Sequence, residues 1–386
     1  MVRKNRTPRR RRRDESLLRS EENAARDLAS SDAGWPSGLN FALLLLCLLA
    51  PPRAFGQPQG LGLPGLREPG KPSARVVIVH DPEATEAFQP QPEKIAAMLN
   101  RGLATLTGKP ASGPAWRSLV STQDIIGIKV YSSPGADSGT RPAVAAAIVE
   151  GLIEAGMPPR NIIVWDKQAE DLRRAGFFGL AVHYGIRVES SAEAGYDEKT
   201  FYAPDEPVLG RLTWGDLEFG RKGEGVGRKS FVSKLVSKSI TKIINVTPLL
   251  NHYTAGVSGN LYSLTTGSVD NMLRFEADPE RLAKAVAEIY ALPALGDRVA
   301  LNIVDALTCQ YEGEHSIRLH ASAILNELRL STDPVALDVL SFQELNRQRL
   351  AAKIPANTNR TELFSIASEL ELGVSDPSNI QIERAR

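Results

Sequence analysis

From Ala74 onward, short β-branched and apolar runs alternate with segments of helical spacing. ARVVIVH at 74–80 predicts a first strand, and Pro92 to Leu106 has the apolar spacing of a helix. DIIGIKVY (Asp124–Tyr131) predicts a second strand, VAAAIVEGLIEAG the helix after it, and MPPRNIIVWD a third strand ending at Asp166. Strand, helix, strand at this spacing is a right-handed βαβ unit. Further interior strands are expected at Thr241–Val246 and Val299–Leu307, because apolar runs between turn residues are typical of parallel sheets covered on both faces. Helices are expected at Asp278–Ala291, from Ser331 onward with Thr332 or Asp333 as its cap, and at Thr361–Leu372, with a last strand in GVSDPSNIQIE. The pattern predicts an α/β fold, a mainly parallel central sheet flanked by helices, with an irregular insertion at about 185–240.

Ligand sites in such sheets lie beyond the strand C-termini. There the stretch Thr241 to Phe275 is densest in polar residues, with Asn251, His252 and Asn260 among glycines that let backbone N–H groups approach a ligand. Lys129, a charge inside an apolar strand, either serves a site or snorkels from the strand end. Thr140, Arg141 and Pro142 open the following helix, either as an anion site at a helix N-terminus or as simple capping. Asp166 and Asp305 are acids at or near the ends of strands. Glu312, Glu314, His315 and His320 fall in one loop, where a solvated reading is preferred to a metal or acid/base cluster. GRKGEGVGRKS lacks the phosphate-loop spacing, so nucleotide binding is rejected on that basis.

Charge changes the picture mainly at the start of the chain. Lys and Arg number 46 and Asp and Glu 45, but arginines crowd 3–13, so the remainder leans acidic and carries no clustered basic face for nucleic acid. The basic stretch precedes LNFALLLLCLLA, too short to span a bilayer comfortably and suited to a signal-peptide core, with Ala54 and Gly56 placed for cleavage before Gln57. The expected organisation is a basic n-region and signal peptide over 1–56, a Pro/Gly-rich linker over 57–73 and one α/β domain over 74–386. A periplasmic or extracellular protein follows, with no stable membrane span once the leader is cleaved. Cys309 is alone in the body, which excludes an intrachain disulfide and a cysteine-held iron–sulfur cluster.

DIIGIKVY, TRPAVAAAIVEGLIEAGMPPRNIIVWD, NVTPLLNHYTAGVSGNLYS, LNIVDAL, STDPVALD and ELGVSDPSNIQIE resemble, in order and spacing, the successive blocks of the domain-of-unknown-function family DUF362. HYTAGVSGNLY is more distantly similar to the H-x-x-x-G-x-S-G-G-x-K loop of nickel-pincer lactate racemases, and Asp137 with Thr140, Arg141 and Pro142 resembles their phosphate-contacting turn. The likeness implies an acid/base role for His252. Tyr262 stands where the cofactor lysine would be, which implies no lysine-linked nickel-pincer cofactor, and Glu276 stands where many family members have a further His. Together these imply catalytic His252, Asp166 and Asp305, and a ligand site of Lys129, Thr140, Arg141, Asn251 and Asn260. His252 and Glu276 are the candidates for a divalent metal, the cofactor otherwise being unknown. The leading expectation is an exported enzyme acting on a small anionic molecule. The alternatives are a non-catalytic extracytoplasmic binder that kept the fold and lost the lysines that the resemblance places at Leu250 and Tyr262, or a surface-tethered structural protein.

Overall fold

In the computed structural model the described residues are 73–205, 228–313, 317–357 and 361–385. Expectations for the leader, for all but the last linker residue, for most of the Gly-rich basic run and for Glu314 and His315 lie outside them.

The β-branched runs form strands as expected: β1 (Ala74–His80), β2 (Ile126–Val130), β3 (Ile162–Asp166) and β4 (Arg187–Ser190). A side ribbon, β5 (Tyr196–Tyr202) and β6 (Ser230–Ser233), follows. Then come β7 (Lys242–His252), β8 (Gly256–Val257), β9 (Val299–Gln310), β10 (Ser322–Ser331) and β11 (Ile380–Ala385). Nine of them make the central sheet in the order β11-β1-β10-β9-β7-β2-β3-β4, with β8 paired to β7. Every pairing along that order is parallel except those of β10, which runs against both β1 and β9. The expected insertion is therefore smaller than 185–240: β4 belongs to the sheet, and β5 with β6 lies off it.

The helices used below are α1 (Pro92–Thr107), α2 (Ser112–Leu119), α3 (Pro142–Glu154), α4 (Ala169–Arg174), α5 (Phe178–Tyr184), α6 (Asn260–Ser268), α7 (Pro279–Tyr290), α8 (Pro334–Ala351) and α9 (Glu362–Glu369). Strand alternation divides the interior in two. Ile126, Ile128, Val130, Val164, Ile244 and Val246 pack under α1 and α3. Ile163, Trp165, Ile243 and Val304 face α6, α7, α8 and α9.

Two boundaries differ from the sequence pattern and a third settles a choice it left open. β7 runs on to His252, so Pro248 to His252 is strand and the polar turn is only Tyr253–Gly259. Thr140 does not cap α3; Arg141 is the N-cap, and the Thr140 hydroxyl accepts from Tyr131 N (2.9 Å) and donates to Val246 O (2.8 Å), tying the end of β2 to β7. Asp333, of the two expected candidates, caps α8 by accepting from Ala336 N at 2.8 Å.

Candidate functional site

β2, β3, β7 and β9 run parallel, so their C-terminal ends bring Lys129, Asp166, His252 and Asp305 to one edge of the sheet. Lys129 is fully buried, and its ammonium sits 2.8 Å from Asp166 Oδ1 while donating to Val130 O (2.6 Å) and Ser263 Oγ (3.3 Å). Burial pulls its pKa down, and Asp166 opposes that pull by charge and by hydrogen bonding. The other Asp166 oxygen accepts from the Ser132 amide (2.8 Å) and hydroxyl (2.7 Å). Gly267 of α6 makes room for the lysine: a Cβ there would lie 2.0 Å from Lys129 Cε.

Arg141 is engaged the same way. Its guanidinium meets Asp305 Oδ1 at 2.9 Å and its backbone N–H meets Asp305 Oδ2 at 2.9 Å, with Thr308 Oγ1 accepting a further bond. β9 shifts register between Asp305 and Cys309, and that irregularity turns both Asp305 and Thr308 toward the arginine. The expected anion position at the start of α3 is thus filled by a carboxylate of the chain itself.

The start of α6 repeats the arrangement. Asp338, reaching over from α8, accepts from Asn260 N (2.6 Å), Asn260 Nδ2 (2.9 Å) and Leu261 N (2.9 Å). Asn260 is fully buried and its carbonyl also accepts from Asn245 Nδ2 at 2.9 Å, so its hydrogen-bonding groups face the interior. Asn251 is buried as well, and its Nδ2 has no hydrogen-bond partner among the described residues.

His252 is of another kind. Gly256, at φ +86°, closes the turn that folds β8 back on the end of β7, and this aims the Thr254 and Ala255 amides at His252 Nδ1 (3.2 and 3.0 Å). Two donors on Nδ1 leave it unprotonated and fix the proton on Nε2. Nε2 lies 3.7 Å from Glu276 Oε2, and the other Glu276 oxygen accepts from the Tyr262 hydroxyl at 2.6 Å. The His252 and Tyr262 rings lie 4.2 Å apart, and burial, then Tyr131, then Glu276 raise the Tyr262 pKa well above its ordinary value. Glu276 keeps about a quarter of its side chain in solvent (24%), and the neighbouring Tyr253 is half exposed. Of Lys129, Asp166, Arg141, Asp305, His252 and Glu276, Glu276 is the most exposed.

Among the described residues, no three His, Cys, Asp or Glu side chains converge as a metal site, and His252 with Glu276 supplies two such groups. Glu312 lies 3.7 Å from Arg349. The Ser132, Gly267 and Asp338 contacts were not anticipated from the sequence. Asp338 alone leaves a visible trace there, an acid within the apolar start of a helix.

The family can be stated on these observations. The profile of "Domain of unknown function (DUF362)" matches residues 126–343, more than half of the chain and every strand end just described. The chain belongs to that family. None of the curated proteins matches this DUF362 chain significantly. A Thermotoga maritima protein solved by crystallography in a structural-genomics programme is similar at a TM-score of 0.39 and 13% identity, over 70% of this chain and 61% of that one. The DUF362 chain thus spans about three fifths of that protein's length. The likeness to lactate racemases rests on its motif residues alone. No helix among the described residues is long and apolar enough to cross a membrane.

Proposed function

We propose that this DUF362 protein is an exported acid–base enzyme acting on a small anionic molecule, with Glu276 as the group that exchanges the proton. The observation that carries this reading is the Tyr262–Glu276–His252 arrangement: a partly exposed carboxylate flanked by a hydroxyl donor at 2.6 Å and an imidazole Nε2 at 3.7 Å. His252, expected to be the acid/base, accepts two amides on Nδ1 and turns Nε2 toward Glu276 as a donor, so the reading assigns the exchanging proton to the carboxylate. Lys129 and Arg141 act as buried charges behind the site, each already balanced by an aspartate. That balance also favours a second reading, a non-catalytic binder, since neither cation is spare to meet charge developing on a substrate.

Native mass spectrometry and elemental analysis of the protein starting at Gln57, purified from its own source without chelator, would identify what it carries. With that ligand in hand, Glu276→Gln should lower turnover by about 10²–10⁴-fold while sparing affinity. Loss of affinity alone in Glu276→Gln and His252→Ala, with no turnover in the parent, would establish the binder instead.

A further inference from the structure

Strand register sets buried polar residues side by side in one row across the sheet. Lys129 of β2 lies beside Asn245 of β7, Asn245 beside Asn302 of β9, and Asn302 opposite Ser331 of β10. Ile128, Ile244, Ile303 and Leu330, each next to one of them in sequence, belong to the core on the other side of the sheet, so the row lies on the face that α6 covers. The helix meets it with polar groups, Ser263 on Lys129 and Asn260 on Asn245.

The amides in this row are held in a single orientation. Asn260 Nδ2 donates to Asp338 Oδ1 at 2.9 Å, which leaves Asn260 Oδ1 on the side of Asn245 Nδ2, 3.4 Å away. Asn245 Nδ2 also donates to Asn260 O (2.9 Å) and to Asn302 Oδ1 (3.4 Å). Turning the Asn245 amide over would set its oxygen against both Asn260 oxygens, and turning Asn302 alone would set one NH₂ group against another. This order leaves an acceptor, Asn245 Oδ1, and a donor, Asn302 Nδ2, both fully buried and both without a hydrogen-bond partner among the described residues.

Neighbours in the row are already engaged. The Lys129 ammonium has Asp166, Val130 O and Ser263 as its acceptors. The Ser331 hydroxyl donates to Arg75 O (2.7 Å) and accepts from Asp333 N (3.0 Å). What completes the asparagine pair must therefore accept from an amide N–H and donate to an amide oxygen. A cation would face the NH₂ donor and an anion the amide oxygen, so the complementary molecule is neutral and small enough for a packed interior.

We propose that Asn245 and Asn302 form a binding site for one resident water, which accepts from Asn302 Nδ2 and donates to Asn245 Oδ1. It completes the polar seam on which the first turn of α6 rests, two residues before Tyr262. The assignment does not depend on the proton-transfer reading of Glu276.

The test is a high-resolution crystal structure of the protein purified from its own source, paired with oxygen-17 relaxation dispersion of water in its solution. One oxygen should refine within hydrogen-bond distance of both Asn302 Nδ2 and Asn245 Oδ1. Asn302→Leu, which removes the donor, should lower the long-lived-water amplitude by about one molecule. Amides bonded only to protein atoms, density larger than a single oxygen at that point, or an unchanged amplitude in the folded variant would overturn the assignment. The parent density decides it even if the variant does not fold.

Discussion

Lys129 shows how a charge survives in the interior. Three acceptors, Asp166 Oδ1, Val130 O and Ser263 Oγ, meet the three protons of the ammonium, so burial lowers its pKa without leaving a donor unmatched. Replacing Asp166 by Asn strands that ammonium without its counter-charge, and urea unfolding should show a loss of about 3–5 kcal/mol. Adding Lys129→Met to the same chain should return much of it. Asp338 makes a prediction of opposite character. Its carboxyl sits near 6 in the folded chain against 3.8 for the free group, so the folded state holds the proton more tightly. The resulting stability is fully present below about pH 4 and is lost as pH rises through 6, up to about 3 kcal/mol in all. Urea midpoints measured across that window should fall with rising pH in the parent by more than in Asp338→Asn. The sequence located Lys129, Asp166, Arg141, Asp305, His252 and Glu276 as candidates. It could not pair Arg141 with Asp305 or Lys129 with Asp166, because side chains 164 and 37 positions apart meet only once the sheet has ordered its strands.

At the level of elements, β1, β2, β3, α1, α3 and α7 were legible because each presents a clean apolar pattern. α6 and β10 were not anticipated. Eight of the nine α6 residues are buried, yet its run NLYSLTTGS has no apolar stripe, since the helix is covered all round and two of its hydroxyls bond back to its own carbonyls: Thr265 Oγ1 donates to Leu261 O (2.7 Å) and Ser268 Oγ to Leu264 O (2.6 Å). β10 carries Asn326 at φ +53° within the strand, opposite the irregular stretch of β9, and that break hides its alternation. Caps were easier to read. Asp333 holds Ala336 N and, through its other oxygen, Val374 N at 2.9 Å, so one side chain fastens both the start of α8 and the chain after α9. Asp333→Ala should cost about 1–2 kcal/mol in thermal or urea unfolding. Hydrogen exchange should quicken at 335–337 and at 374 together, where a cap serving one helix alone would affect only the first.

For the whole molecule, the sheet places every candidate group at one end of its parallel strands, and this much followed from the strand order implied by alternating strands and helices. What the pattern could not convey is that the chain supplies its own carboxylates, Asp305 at the helix start expected to bind an anion and Asp338 at the unanticipated start of α6. The proposed export adds a prediction at this scale: N-terminal sequencing of the protein recovered from its native compartment should begin at Gln57, and an intact Met1 would place the leader in another role.

The first and last strands of the sheet lie side by side, with Ala74 opposite Ile380 and Val79 opposite Ala385 in a parallel pair. The neighbour on the other side of β1 is β10, also late in the chain, so both flanks of the earliest strand wait for segments more than 240 residues downstream. Such a pairing makes folding a matter of timing. While the chain is being synthesised, β1 has no strand to join, and the sheet cannot close until β10 and β11 have emerged.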